Sequence, residues 1–255
     1  MKRRTILRKV FGIIALIAVI GFLATACPED DNGGGPTFLG DKLELSGQVY
    51  LAKWNDDYTS LSYQDFSGNL AIDDNYGGSG EIKNGKLSYS IGVPTNLQTL
   101  DFTDEYNYDG ESYNNFSVSK SNVKGLIIWL SVDSNDYYGV YKGNTAYNVQ
   151  TSSSSRTIES VNYVYVEEDV TVSGSGKTDT GSDTYDGVSE TWKSTTGNLN
   201  LAFKKGWNAV YGKTEISQTF TGTLDNPTSI NGTYTNTLSL SNPSLRWLLG
   251  ETYDD

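Results

Sequence analysis

From Leu43 the chain alternates, with Leu43, Leu45, Val49 and Leu51 on one parity and Glu44, Ser46, Gln48 and Tyr50 on the other, the pattern of a half-buried strand. A second strand region runs from Tyr58 to Ile72, where Leu61 and Tyr63 share one parity and Phe66, Leu70 and Ile72 the other. The switch near Gln64-Asp65 predicts a bulge or a break. Asn84-Gly85 stands between Glu81-Ile82-Lys83 and the alternating Leu87, Tyr89 and Ile91. Both central residues of a two-residue type I′ turn need positive φ, which Asn and Gly tolerate, so this stretch predicts a β-hairpin. Pro94 to Leu100 reads as a short connection. Leu126-Ile127-Ile128-Trp129-Leu130 is apolar on both parities, as expected of a central strand covered on both faces.

Val140 and Tyr141 follow a polar turn at Asp133 to Asp136, and Thr151 to Ser155 reads as a linker between two β units. Beyond it lie an alternating run from Ile158 to Val172, a Gly/Asp/Thr loop from Gly174 to Gly187, and a strand region from Ser189 to Phe203. Lys205-Gly206 predicts a hairpin turn into Trp207 to Ile216. Two further strands are expected near Thr219 to Leu224 and Thr233 to Leu240, before a closing segment from Asn242 to Leu249. No stretch after residue 40 keeps a helical period over ten residues. Short strands with regular turn signals predict an all-β body, an antiparallel β-sandwich or an up-and-down barrel. It would comprise one or two β units, 41–150 and 156–250, preceded by a signal helix and a disordered tether. Trp129, Trp207 and Trp247 are expected in its core or sealing its ends.

The amino terminus follows different rules. Lys2, Arg3, Arg4, Arg8 and Lys9 precede an apolar run from Val10 to Leu23, followed by Ala24-Thr25-Ala26-Cys27. A basic start, an apolar stretch and small residues before a cleavage point describe an export signal over 1–26. An uncleaved membrane anchor fits less well, because Gly21, Ala24, Thr25 and Ala26 dilute the outer end of the apolar run. Cys27 is the only cysteine, and the Pro, Asp, Glu and Gly residues after it offer nothing to bury a thiol. Residues 27–40 are acidic and Gly-rich, as a flexible tether would be.

A lone cysteine after small residues resembles the lipobox of bacterial lipoproteins, here with Ala24 where an aliphatic residue is usual. The segments GSGEIKNGKLSYSIGVP (78–94), VNYVYVEEDVTVSGSG (161–176), LNLAFKKGWNAVY (199–211) and SNPSLRWLL (241–249) are similar to stretches of treponemal envelope lipoproteins. The resemblance implies cleavage after Ala26, a diacylglycerol on the Cys27 thiol, acylation of the new amino terminus and a β-rich body held at the envelope. Two or more acyl chains make attachment stable where one is marginal, since each buried methylene contributes about 0.8 kcal/mol. Pro28 rather than Asp follows the cysteine, so the inner-membrane retention signal of enterobacteria is absent, and the outer membrane or cell surface is the expected address. The resemblance implies no reaction.

Composition narrows the partners. Removing residues 1–26 takes away five Lys/Arg and no acid, leaving 14 basic and 31 acidic residues and a formal charge of −17. Such a body repels phosphates, which excludes nucleic acid as a ligand. Histidine is absent, and with it His-based triads and His-bearing metal sites. With one cysteine there is no internal disulfide. Among the acids, Glu105, Asn107, Asp109 and Glu111 set oxygen ligands at alternate positions around Gly110, a candidate low-affinity Ca²⁺ loop. Phe116 stands where an EF-hand has its bidentate Glu, so a solvated acidic loop competes with that reading. Asp73-Asp74-Asn75 and Asp179, Asp183 and Asp186 fit no ligand scheme, and no other cofactor is expected.

Ser117-Val118-Ser119-Lys120 contains Ser-x-x-Lys without the Ser-Asp-Asn and Lys-Thr-Gly partners of penicillin-recognising enzymes, and reads as a polar strand edge. The 18 Tyr and 5 Trp supply another route to function. Trp54, Tyr58 and Tyr63, or Tyr106, Tyr108 and Tyr113, are candidate platforms for stacking a glycan or a peptide. The sequence therefore points to a lipid-anchored, non-catalytic binding or surface structural module. The rival is a glycan hydrolase working with two carboxylates, which would need a cleft with facing acids.

Overall fold

A computed structural model describes residues 37–55, 60–73, 76–103, 113–185, 187–223 and 226–251. The expected signal segment over 1–26, Cys27, most of the expected tether, Tyr58, Tyr106, Tyr108 and residues 105–111 lie outside the described residues. The described chain is all-β. Its amino-terminal strands are β1 (Phe38–Gly40), β2 (Leu43–Trp54), β3 (Leu61–Asp65), β4 (Leu70–Asp73), β5 (Ser79–Lys83), β6 (Lys86–Ile91), β7 (Gln98–Thr99), β8 (Asn114–Val118), β9 (Lys124–Ile128) and β10 (Leu130–Val132). There follow β11 (Tyr137–Gln150), β12 (Ser153–Val166), β13 (Val170–Ser175), β14 (Lys177–Tyr185), β15 (Val188–Thr196), β16 (Leu199–Phe203), β17 (Gly206–Thr223), β18 (Asn226–Leu240) and β19 (Arg246–Glu251).

Seven strands close on themselves. β10 pairs with β4, β4 with β5, β5 with β6, β6 with β2, β2 with β19, β19 with β11, and β11 returns to β10. Every junction is antiparallel except β2–β19, which is parallel and spans only Val49↔Trp247 to Leu51↔Leu249. Alternation decides what fills the ring: Leu43, Leu45, Val49, Leu87, Tyr89, Ile91, Leu130, Val140 and Leu249 belong to one buried apolar cluster. The β5–β6 turn takes the expected form, with Asn84 at φ 50° and Gly85 at φ 74°. A Cβ at Gly85 would come within 1.7 Å of the Phe66 carbonyl oxygen, so the position requires glycine for space as well as for φ. The parity switch near Gln64 is a break between β3 and β4.

β9 continues the line of β10 and pairs with β12, bringing Tyr163 and Tyr165 into the barrel core beside Trp207 and Trp247. The other parity of β12 serves a second core. Val164 and Val166, with Val210 of β17 and Leu238 of β18, lie under a three-stranded sheet ordered β16-β13-β8, which contributes Leu199, Leu201, Phe203, Val170 and Val172. This sandwich layer covers Ile127 as well, and so accounts for the run that is apolar on both parities.

Beyond the two cores, β11, β12, β17, β18, β15 and β14 run on as a sheet of long strands. Thr151 and Ser152 are the turn between β11 and β12, which pair over nine positions from Lys142↔Val161 to Gln150↔Ser153. The sheet thus runs continuously across the stretch that reads as a linker in the sequence. The expected Gly174–Gly187 loop is largely strand: β14 pairs with β15 from Lys177↔Thr196 to Tyr185↔Val188. Its Gly and Asp residues are weak strand formers, but nine consecutive register pairs outweigh that preference. β15 runs parallel to β18, the second departure from an antiparallel pattern.

Candidate functional site

Trp129 does not enter the core. Ile128 and Leu130 on either side of it are buried in the barrel, so alternation turns Trp129 outward, where the small sheet that shelters Ile127 does not reach, and it is 47% exposed. On β11 the pairing with β19 shifts register between Tyr137 and Gly139, an irregularity that leaves Tyr138 45% exposed while Tyr137 packs against the barrel core. The two exposed rings lie nearly parallel, 12° between planes and 6.1 Å between centroids. Beneath them Gly139 and Gly250 face each other across β11 and β19. A Cβ on Gly250 would reach 2.1 Å from the Tyr138 ring, and one on Gly139 would reach 3.1 Å from Trp129 Nε1, so the missing side chains make room for the rings. Trp207 and Trp247, in contrast, are buried as expected, and their indole N–H groups donate to the Gly92 and Ser46 carbonyls, each at 3.0 Å.

A second feature is a cleft of about 790 Å³ where β2 and β19 part. The two strands pair only from Val49 and Trp247 onward; before that, Leu43–Gln48 and Asn242–Arg246 form separate walls. Lys42, Lys142 and Arg246 line it with a single acid, Glu44, which is ion-paired to Lys42. Lys142 Nζ donates to Asn242 Oδ1 at 2.7 Å, and burial pushes its pKa down from the usual lysine range. Arg246 places its guanidinium 4.6 Å from the centre of the Tyr63 ring and donates to Asn144 Oδ1 at 3.1 Å. With one carboxylate, this cleft does not hold the facing pair that a two-acid hydrolase needs.

The other sequence candidates take more ordinary places. The Tyr63 hydroxyl donates to the Thr145 carbonyl at 2.7 Å and accepts from the Thr145 N–H at 2.6 Å, pinning β3 to β11 beneath Arg246. Trp54 ends β2, and its side chain lies outside the described part. Tyr113 is buried and stacks on Phe116 at 6.3 Å. Asp179 accepts from Lys177 at 3.2 Å on β14, and Asp183 bonds the Thr184 N–H at 2.7 Å. Among the described residues no group of three or more Cys, Asp or Glu is placed to hold a metal ion. Ser117 shares a hydrogen bond with Ser173 at 3.0 Å, Ser119 accepts the Thr171 N–H at 2.8 Å, and Lys120 pairs with Glu168, so the Ser-x-x-Lys stretch is a polar ladder of β8 against β13.

The Trp129–Tyr138 pair escapes sequence reasoning because its partners stand nine residues apart, Trp129 between β9 and β10 and Tyr138 on β11. The cues available were the opposite parity of Trp129 within its run and the Gly139 and Gly250 positions, but their juxtaposition depends on pairing register. No family model, no curated protein and no solved structure matches the chain.

Proposed function

We propose that this chain is a lipid-anchored envelope lipoprotein whose β body is a non-catalytic glycan-binding module, with a sugar ring stacking on Trp129 and Tyr138. The observation that carries the binding reading is the near-parallel aromatic pair held open to solvent over two facing glycines. Aromatic faces offer a pyranose an apolar contact surface, and a rigid pair presents it with little ordering cost. The acidic body disfavours nucleic-acid bases as the stacking partner, since their phosphates would be repelled. The lipid anchor rests on the basic, apolar and small-residue order of residues 2–26 ahead of Cys27, and on the resemblance to treponemal lipoproteins. Attachment at the outer membrane or cell surface would hold the module where glycans are encountered.

The test combines a glycan array with titration calorimetry on the soluble body. Trp129→Ala and Tyr138→Ala should each weaken binding of any array hit about tenfold while leaving the unfolding midpoint near that of the parent, because both rings are largely outside the cores. Hits that bind both variants unchanged would remove this surface from consideration. Labelling of cells with an alkyne-bearing fatty acid should mark the parent chain and lose the signal in Cys27→Ser; equal labelling of the two would refute the anchor.

A further inference from the structure

The cleft between β2 and the approach to β19 has the makings of a strand-addition site. β2 pairs with β6 from Leu43↔Ile91 to Gln48↔Lys86 along one edge. Along its other edge a paired strand begins only at Val49. In an extended strand the N–H and C=O of one residue point to the same side and those of the next residue to the other. The Ser46 carbonyl accepts the Trp247 indole N–H from the cleft side, so the backbone groups of Glu44 and the N–H of Ser46 face the cleft too. Among the described residues no strand pairs with them. Such an open edge is a template for an added strand, and it extends about 10 Å from Leu43 to Ser46 at the usual rise per residue.

The charge of the cleft gives the chemistry of its occupant. Three cations and one acid line it, in a chain whose formal charge is −12. Lys42 has Glu44 and Arg246 has the Tyr63 ring, but among the described residues no ion pair engages Lys142. Its ammonium is half-buried and donates to Asn242 Oδ1, and among the described residues no other side chain takes its two further donor directions, which are available for an anion. A lipid tail would satisfy neither the backbone edge nor the ammonium, and a neutral sugar carries no charge to pair with the ammonium and no regular ladder of amides to match the edge.

We infer that this cleft binds an extended peptide segment bearing an acidic side chain, which adds to the open edge of β2 and places its carboxylate on Lys142. The site is separate from the Trp129–Tyr138 surface, and neither depends on the other. The peptide's backbone supplies the affinity that any extended sequence shares, and the carboxylate at the Lys142 position selects among sequences.

The experiment uses the soluble body and three fluorescent probes. One is a blocked hexapeptide, Thr-Val-Glu-Val-Thr-Val; the second has Gln in place of Glu; the third is the Glu peptide with alternate backbone nitrogens methylated. Saturable binding of the first is expected, with each of the other two weaker by roughly tenfold, the scale of losing a charge-assisted hydrogen bond or two ladder bonds. Lys142→Met, which keeps most of the apolar stem, should reduce the preference for Glu over Gln to near unity without moving the thermal midpoint. Trp129→Ala should leave all three affinities unchanged, which separates failure of this site from failure of the glycan site. No saturable binding of any probe, equal binding of the Glu and Gln peptides, or a preference that survives Lys142→Met would overturn the proposal. Free glutarate competing as well as the peptide, with no effect of methylation, would also overturn it in favour of a small-anion site.

Discussion

The closed barrel and the far half of the long-stranded sheet are built from the same alternation and are stabilised in different ways. In the barrel and under the small sheet, alternate positions are Leu, Val, Ile and aromatic residues that reach full burial, as Leu201, Val172 and Trp207 do. In the far sheet the cross-strand row Ser155–Ser217–Thr233–Lys193–Thr180 is polar and lies on one face. The opposite face carries a small apolar cluster of Ile216 and Tyr234, with Ile158 and Trp192 against it, set among buried polar groups. Ser154 donates to Gln218 Oε1 at 3.4 Å, Gln218 Nε2 to the Tyr234 hydroxyl at 3.3 Å, and that hydroxyl to Glu190 Oε1 at 3.4 Å, a chain crossing β12, β17, β18 and β15. Thr214 donates to Asn236 Oδ1 at 3.0 Å beside it. Apolar burial holds the first region; backbone ladders and satisfied polar side chains hold the second. The contrast teaches that a strand pattern specifies pairing in both cases, but only a covered face converts it into a large stabilisation.

The sharpest way to break the comparison is to remove volume from the covered region. Leu201→Ala should cost about 3 kcal/mol in urea unfolding, the range for a fully buried leucine in a packed core. Hydrogen exchange should place the amides of β14 and β15 among the faster-exchanging strands and those of β12 near Val164 among the slowest, since local stability follows apolar contact. Equal protection across the two regions would mean that the far sheet has cover beyond the contacts described.

A smaller effect is expected within the polar chain. Tyr234→Phe leaves the Gln218 amide, only 4% exposed, without its hydroxyl acceptor, and should cost about 1 to 2 kcal/mol. Burial pushes the Tyr234 hydroxyl up to about 12 and raises the Glu190 carboxyl above its ordinary 4.5, with Asp183 adding to the latter. The native state therefore holds the Glu190 proton to higher pH than the unfolded chain does. That contribution to stability is present below the unfolded pKa and declines as pH rises from about 4.5 through the raised native value. Glu190→Gln should flatten the decline over that window in pH-dependent melting; a Gln variant with the parent's slope would show that other groups set it.

The smallest effect belongs to the solvated face. Lys213 and Glu215 approach to 2.9 Å on β17, yet Lys213→Ala should change stability by no more than about 0.5 kcal/mol, because water and salt screen an exposed pair.

Much of the fold was legible because its signals are local. Asn84-Gly85 carries its φ requirement in two residues, and Leu43 to Leu51 declares its inner face by alternation alone. Lys205-Gly206, which reads as a hairpin turn, instead carries the chain from β16 in the small sheet to β17 in the large one, with positive φ at Gly206 alone. The errors have a common physical origin in pairing between distant strands. β14 is a strand because β15 offers it a full ladder, although Gly181 and its Asp residues favour turns. Trp129 is exposed because the covering sheet reaches Ile127 and stops short of it. Tyr63 is engaged by Thr145 and Arg246 from 82 or more residues away, contacts that no local spacing shows.

The sequence by itself determined the all-β character, the Asn84-Gly85 hairpin turn, the acidic charge and the absence of histidine chemistry. These follow from residue types and short spacings, which act without knowledge of the fold. Tertiary structure alone decided that seven strands close through a three-residue parallel contact, that a cleft opens where that contact ends, and that Trp129 and Tyr138 meet over Gly139 and Gly250. Each of these depends on which strands become neighbours and in what register, and a shift of one residue would turn every side chain of a strand to its other face.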